Sequence, residues 1–237
     1  NGPYRPAELI DDSDELREGE KSYVVGNAEG KGLSAASGII SLQSSDLTLT
    51  VDSKTQEEFT FRVIRTDAAV NHGNSGGGLY NKDGKLMGIV NAKTQSVTVD
   101  NFGYALPINT VMGLVDNLLA RAADTETHDD VYFNGYGYYK CQLGLSVADV
   151  DGYADYDEKT GTVTTRAYVT VTDVPEGGAA YGIVQKGDVL VSMEINGVKR
   201  NMFRKYQPGD ILLYARKGDI ARITVNRNGE ILTLEVP

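Results

Sequence analysis

The chain has 237 residues, a hydrophobic fraction of 41% and a formal net charge of −10 at pH 7. That length and apolar content suit two small domains with ordinary cores, and the acidic balance, with no basic face, excludes binding to nucleic acid phosphates. No run approaches the ~18 apolar residues of a membrane-spanning helix, and the single cysteine, Cys141, excludes an intramolecular disulfide and is expected as a small buried hydrophobe.

From Lys21 to Leu106, short β-rich segments alternate with Gly, Asn and Asp turns: Ser22–Val25, Ala36–Leu42, Leu47–Val51, Phe59–Arg65 and Leu86–Ala92. The pattern predicts a six-stranded antiparallel barrel. Asn81-Lys82-Asp83-Gly84 reads as a tight hairpin turn between Gly78–Tyr80 and Leu86–Ile89, because Asp-Gly tolerates positive φ. Pro107 opens a helix to about Arg121, with Val111, Leu114, Val115, Leu118 and Leu119 at helical spacing and expected to pack on the barrel. The small and charged run from Ala122 to Asp130 predicts a linker, in which His128 is a solvated side chain.

Beyond the linker, Tyr132, Tyr136, Tyr138 and Tyr139 interleave with Gly135 and Gly137 and are expected to pack a domain junction. Asp149–Glu158 carries oxygen ligands, but Gly152 is not placed as an EF-hand loop requires, so it reads as an acidic insertion loop. No metal site and no cofactor is expected. Ala221–Asn226 and Glu230–Val236 form a closing hairpin through Asn228-Gly229.

The chemistry concentrates in Thr66-Asp67-Ala68-Ala69-Val70-Asn71-His72-Gly73-Asn74-Ser75-Gly76-Gly77-Gly78, a serine in a glycine-rich turn. A serine hydroxyl needs a base within hydrogen-bond reach, usually a histidine held by a carboxylate. A tetrahedral intermediate also needs converging N–H groups for its oxyanion, and glycines leave the turn unobstructed. Ser75 is therefore the candidate nucleophile and Gly73–Asn74–Ser75 the oxyanion segment, with the Gly73 and Ser75 amides as donors. His72 lies three residues before Ser75, on the loop that must face the oxyanion, and is a poor base.

The run TDAAVNHGNSGGGLYNKDGKLMGIVNAKTQ, followed by NFGYALPINTV and preceded by DDSDELREGEKSYVVGNAEG and LSAASGIISL, resembles the nucleophile half of the HtrA serine proteases, a chymotrypsin-like family with PDZ domains. The likeness runs in order from about Ala7 to Ile108, and His72 stands where the family usually has proline. It implies that the family's histidine and aspartate belong to a first barrel preceding this segment. The chain, beginning at Asn1 without methionine, reads as the C-terminal portion of a protease.

Gln142-Leu143-Gly144-Leu145-Ser146-Val147, Val169–Ala180, Gly182–Leu190, Ile195-Asn196-Gly197 and Pro208-Gly209-Asp210 resemble the PDZ domain that follows the protease in this family. The resemblance places a peptide-carboxylate loop at Leu143, Gly144 and Leu145. It places the substrate-pairing strand at Ile89, Val90, Asn91 and Ala92, continuing to Lys93. Ala69, six positions before Ser75, stands where a trypsin-like pocket carries its acid, which favours small or medium apolar side chains at the cleavage site.

The expected fold is thus mainly β: the second barrel of a chymotrypsin-like protease with a C-terminal helix at 1–121, a linker at 122–130 and a PDZ-like α+β domain at 131–237. The expected function is serine endopeptidase action on unfolded or misfolded proteins, in quality control of bacterial type, with this chain inactive alone for want of its histidine and aspartate. Expected partners are polypeptide substrates, peptide C-termini, the N-terminal barrel or its cleaved fragment, and a homo-oligomer. The expected location is extracytoplasmic, in the cell envelope or secreted. The alternative is a non-catalytic peptide-binding protein with a degenerate protease barrel.

Overall fold

The computed structural model describes residues 5–52, 57–93, 102–123 and 141–237. The expected linker beyond Ala123, His128 and the tyrosines from Tyr132 to Tyr139 lie outside them. Two compact units form, Asn1–Val111 with Ala154–Thr165, and Met112–Tyr153 with Arg166–Pro237.

In the first unit, β1 (Lys21–Gly26), β2 (Ser34–Asp52), β3 (Glu57–Thr66), β4 (Gly78–Tyr80), β5 (Leu86–Lys93) and β6 (Gly103–Pro107) close a barrel in the order β1-β2-β3-β6-β5-β4. Every pairing is antiparallel. Alternation along the strands turns Val24, Ile40, Ile64, Leu79, Met87, Val90 and Ala105 into one core.

The two segments expected at Ala36–Leu42 and Leu47–Val51 are a single strand, β2, whose register against β3 shifts between Ile40/Leu42 and between Leu42/Ser45. The intervening Gln43 and Ser44 read as a break, yet they are buried and bonded. Gln43 Nε2 donates to the Ser13 and Asp14 carbonyls at 3.2 and 3.3 Å, and Arg62 Nε donates to Ser44 Oγ at 3.0 Å. Arg62 also pairs with Asp14, their side chains only 3% and 4% exposed. Buried polar groups persist where partners satisfy them.

The Asn81–Gly84 turn forms, with Gly84 at φ +77° and Asn81 Oδ1 accepting from the Asp83 and Lys85 amides at 2.9 Å each. Helix α1 spans Ile108–Ala123, and from Met112 it groups with the second unit. Its packed face is Gly113 against Leu213 and Tyr214, and Asn117, whose Nδ2 donates to the Leu213 carbonyl at 2.8 Å. The stripe expected to pack on the barrel is instead exposed at Leu114, Val115, Leu118 and Leu119, the last at 66%. Periodicity marks an apolar face without specifying its neighbour, and here the small Gly113 permits the closer approach.

The second unit holds β7 (Ser146–Asp157), β8 (Thr162–Asp173), β9 (Val189–Ile195), β10 (Val198–Asn201), helix α2 (Gln207–Leu212), β11 (Ala221–Arg227) and β12 (Glu230–Val236). The sheet order is β12-β11-β9-β8-β7, with β10 on β9. Val169, Val171, Leu190, Met193, Ile195, Ile211, Ile223 and Val225 form its core. The Asn228-Gly229 hairpin has φ of 55° and 92°, the doubly left-handed turn that suits strand twist.

The acidic stretch expected as a loop is strand through Asp157, because Val150, Tyr153 and Tyr156 favour extended backbone over the turn tendency of their aspartates. Its hairpin tip, Ala154–Thr165, belongs to the first unit, where Glu18 and Val163 exchange backbone hydrogen bonds of 3.0 and 2.8 Å. Cys141 is half-buried rather than fully buried; its Sγ lies 3.5 Å from the Ala215 carbonyl, and burial pushes the thiol pKa up.

Candidate active site

The segment between β3 and β4 is anchored at its start by hydroxyls. Thr66 Oγ1 donates to the Ile39 carbonyl at 2.8 Å, accepts from the Ala68 amide at 3.1 Å, and meets buried Ser22 Oγ at 2.8 Å. Asp67 Oδ1 accepts from the Ile39 amide at 2.7 Å. Ala68 and Val70 then enter the barrel core, while Ala69 faces outward.

The loop turns at Asn74, whose amide donates to the Asn71 carbonyl at 3.0 Å and whose carbonyl accepts from Gly77 at 2.9 Å. Its side chain is buried against Gly26, and its Oδ1 has no hydrogen-bond partner among the described residues. Gly76 donates to the Val90 carbonyl and Val90 to the Gly77 carbonyl, both at 2.8 Å. The loop is thus sewn to β5, the strand expected to pair with substrate.

Ser75 is exposed, and its hydroxyl donates to the Asn91 carbonyl at 2.9 Å. That carbonyl is available because the β5–β6 register shifts between Val90 and Ala92, leaving Asn91 outside the ladder. Ile89 and Val90 stay within it, opposite Leu106 and Ala105.

Gly73 sits at φ +93°, and a Cβ there would lie 2.2 Å from the Asn27 carbonyl oxygen, so both conformation and space require glycine. Among the described residues the Gly73 and Ser75 amides donate no hydrogen bond. The exposed Ser75 hydroxyl thus lies in a loop tied to an antiparallel strand, with these two amides beside it in sequence.

A trypsin-like peptidase domain model matches residues 1–89. The serine protease Do-like HtrA of Bacillus subtilis (strain 168) is 30% identical, covering 95% of this chain and 47% of its own length. A serine protease HtrA-like of Staphylococcus aureus (strain USA300) is 27% identical, covering 93% of this chain and 27% of its own length. The chain is similar to HtrA serine proteases.

This HtrA-type chain therefore spans about half the length of the B. subtilis relative and about a quarter of the staphylococcal one. Among solved structures, the HtrA-type protease AlgW with decapeptide aligns at 26% identity and TM-score 0.43, over 98% of this chain and 63% of its own.

The remaining expected site residues of the HtrA-type chain lie in its second unit. Leu143 is buried in the core and its carbonyl accepts from the Ala180 amide at 2.8 Å. Gly144 turns at φ +68°, where a Cβ would come within 2.5 Å of Gly178 Cα. Leu145 is half-buried against the same core, and β7 begins at Ser146.

Beside this loop lies a cavity of about 260 Å³, bounded by Cys141, Leu143, Leu212, Ala215, Arg216 and Lys217. Leu212, Arg216 and Lys217 join Leu143 only in space, although a basic pair after a short helix is legible in the sequence. Arg216 is held by its Nη1 bonds to the Leu213 and Ala215 carbonyls at 3.0 and 2.9 Å and its Nη2 bond to Asp116 Oδ2 at 2.7 Å.

Proposed function

We propose that this chain is the nucleophile-bearing part of a serine endopeptidase that cleaves peptide bonds in unfolded polypeptides, followed by a PDZ-like domain for peptide C-termini. The observation that carries the reading is the exposed Ser75 hydroxyl, 2.9 Å from the Asn91 carbonyl on β5, in a loop whose Gly73 and Ser75 amides donate no hydrogen bond among the described residues. A substrate strand pairs with Ile89–Ala92. Ser75 Oγ attacks the scissile carbonyl carbon, the N–H groups of Gly73 and Ser75 bind the resulting oxyanion, and collapse of the intermediate expels the amine.

The general base must take the Ser75 proton, and a backbone carbonyl is far too weak a base to do so. In this reading a histidine and its carboxylate come from polypeptide other than this chain, and the chain alone is inactive. The exposed Ala69 and absence of an acid at that position favour a small or medium apolar residue at the cleavage site. At Leu143–Leu145, a peptide carboxylate meets loop amides while the peptide backbone adds to β7. A location outside the cytoplasm, a role in protein quality control and a homo-oligomeric assembly follow the resemblance.

The second reading is a peptide-binding protein without catalysis, in which the Ser75–Asn91 bond is only structural. A fluorophosphonate probe separates the two. Labelling of the product of the entire encoding gene, lost in Ser75→Ala and absent from this chain alone, supports the protease. Labelling of neither supports peptide binding only, and labelling of this chain alone would overturn the need for an outside base.

A further inference from the structure

Strand β7 ends the sheet order β12-β11-β9-β8-β7, so among the described residues no strand pairs with its outer edge. Leu145 and Val147 pack against the core, but from Asp149 to Tyr156 every residue of the strand is exposed. An open edge is a template for another extended chain. The expected carboxylate loop, Leu143–Leu145, directly precedes this strand. A peptide whose C-terminus sits there runs back along β7 antiparallel to it, residue opposite residue.

Asp151 changes which side chains such a peptide meets. It holds φ +46°, and the alternation of the strand reverses there. Leu145 and Val147, at odd positions, face the core, whereas Tyr153, also odd, lies against Tyr168 with ring centroids 6.2 Å apart. Tyr168 stands beside the core residue Val169 and points away from it, so Tyr153 is on the outer face. One extra residue in a strand has this effect. The two rings are 48% and 53% exposed.

Charge completes the description. From Cys141 to Glu158 the chain carries five acidic residues and no lysine or arginine. Asp149 is occupied, its Oδ1 accepting from the Lys205 amide at 2.6 Å, while Asp151 makes no hydrogen bond or ion pair among the described residues. Edge charges also discourage aggregation, but exposed ring faces do not serve that end. Aromatic faces beside a free carboxylate suit a cation, and a guanidinium best, because it stacks flat on a ring and donates to both carboxylate oxygens.

We propose that Asp151, Tyr153 and Tyr168 read an arginine or lysine in the bound peptide, giving this domain a preference for basic tails. Tyr153 lies seven positions beyond Ser146, where β7 begins, and the extra residue at Asp151 removes one. The basic residue therefore falls about six positions upstream of the peptide's C-terminus. This inference deepens the reading of Leu143–Leu145 as a carboxylate loop and rests on it.

Fluorescence anisotropy on this chain tests it, with peptides of about ten residues that end in an apolar residue and carry arginine, alanine or glutamate about six positions upstream. The arginine peptide should bind about fivefold tighter than the alanine peptide, and the glutamate peptide more weakly than either. Asp151→Asn keeps a residue that tolerates positive φ, and Tyr153→Ala removes a ring. Each should shrink the arginine advantage to about twofold or less while leaving alanine-peptide affinity within about twofold, and Tyr153→Phe should retain the advantage.

Amidated versions of the same peptides separate the two levels. Arginine and alanine peptides bound equally, with the free acids still preferred over the amides, overturn this inference and leave the carboxylate reading standing. Acid and amide bound equally remove the carboxylate reading and this inference with it. An arginine advantage untouched by both Asp151→Asn and Tyr153→Ala overturns the assignment to these residues. The comparison of peptides on the unmodified chain decides the matter even if Tyr153→Ala fails to fold.

Discussion

The Ser75 hydroxyl is hydrogen-bonded to the Asn91 carbonyl at 2.9 Å, a bond across the loop to a residue that a register shift has left outside the β5–β6 ladder. In the proposed reading a substrate strand lying along β5 would compete for that same carbonyl and so free the Ser75 hydroxyl for the outside base. Ser75→Ala removes one exposed hydrogen bond and should change unfolding free energy by no more than about 1 kcal/mol. Urea unfolding should therefore be nearly superimposable for the two proteins, while any fluorophosphonate labelling of the whole gene product disappears.

Gly73→Ala should be costly in both respects. The added Cβ meets the Asn27 carbonyl oxygen at 2.2 Å, at a φ of +93°. Strain at such a backbone site is of order 1–3 kcal/mol. The loop can relieve it only by moving its amides, so kcat of the whole gene product should fall by at least tenfold; a variant with unchanged kcat would remove residue 73 from the oxyanion site.

Asp14 and Arg62 form a buried pair with side chains 4% and 3% exposed. Asp14→Ala leaves the guanidinium without its carboxylate, which for buried pairs costs about 3–5 kcal/mol. The urea midpoint of the first unit should fall accordingly. Arg62→Met combined with Asp14→Leu should recover much of the loss, since the pair is then replaced by apolar volume.

Asp188 and Arg227 give the second unit a pH signature. Burial by itself pushes the Asp188 carboxyl up, but hydrogen bonds from Arg227 and the Gln185 amide, with the Arg227 charge, outweigh it and hold the carboxyl below its usual value. Arg227 Nε and Nη2 donate to the two carboxylate oxygens at 2.7 Å each. A depressed folded pKa stabilises above the unfolded value, about 3.9, and that contribution is lost as pH falls through the folded pKa. In Arg227→Met only the Gln185 amide still opposes burial, so the depression shrinks, and by thermal unfolding the stability gap between the two proteins should be wide at pH 7 and narrow as pH falls through the folded pKa.

Peptide capture at Leu143–Leu145 should depend on the Gly144 turn. Gly144→Val places a branched side chain at φ +68° against Gly178. Fluorescence anisotropy with a peptide ending in a free apolar residue should show at least tenfold weaker binding, and an amidated C-terminus should bind weakly to both proteins. Equal binding of acid and amide would exclude carboxylate recognition.

The sequence by itself determined the strand barrel, the Asn81–Gly84 and Asn228-Gly229 hairpins, the glycine-framed Ser75 and the likeness to HtrA proteases, because each is written in local chemistry: period-two alternation, turn residues that accept positive φ, and a contiguous motif. Gln43 and Ser44 looked like a break, and only the arrival of Asp14 and Arg62 from distant positions made them the buried middle of a continuous strand. The apolar stripe of α1 was legible, but not that Gly113 and Asn117 would supply the packed face. The bond from the Glu29 amide to the His72 carbonyl and the Ser75 bond to Asn91 were invisible for the same reason. Each ends on a backbone carbonyl, which carries no residue-specific signal and is brought into place only when the barrel closes.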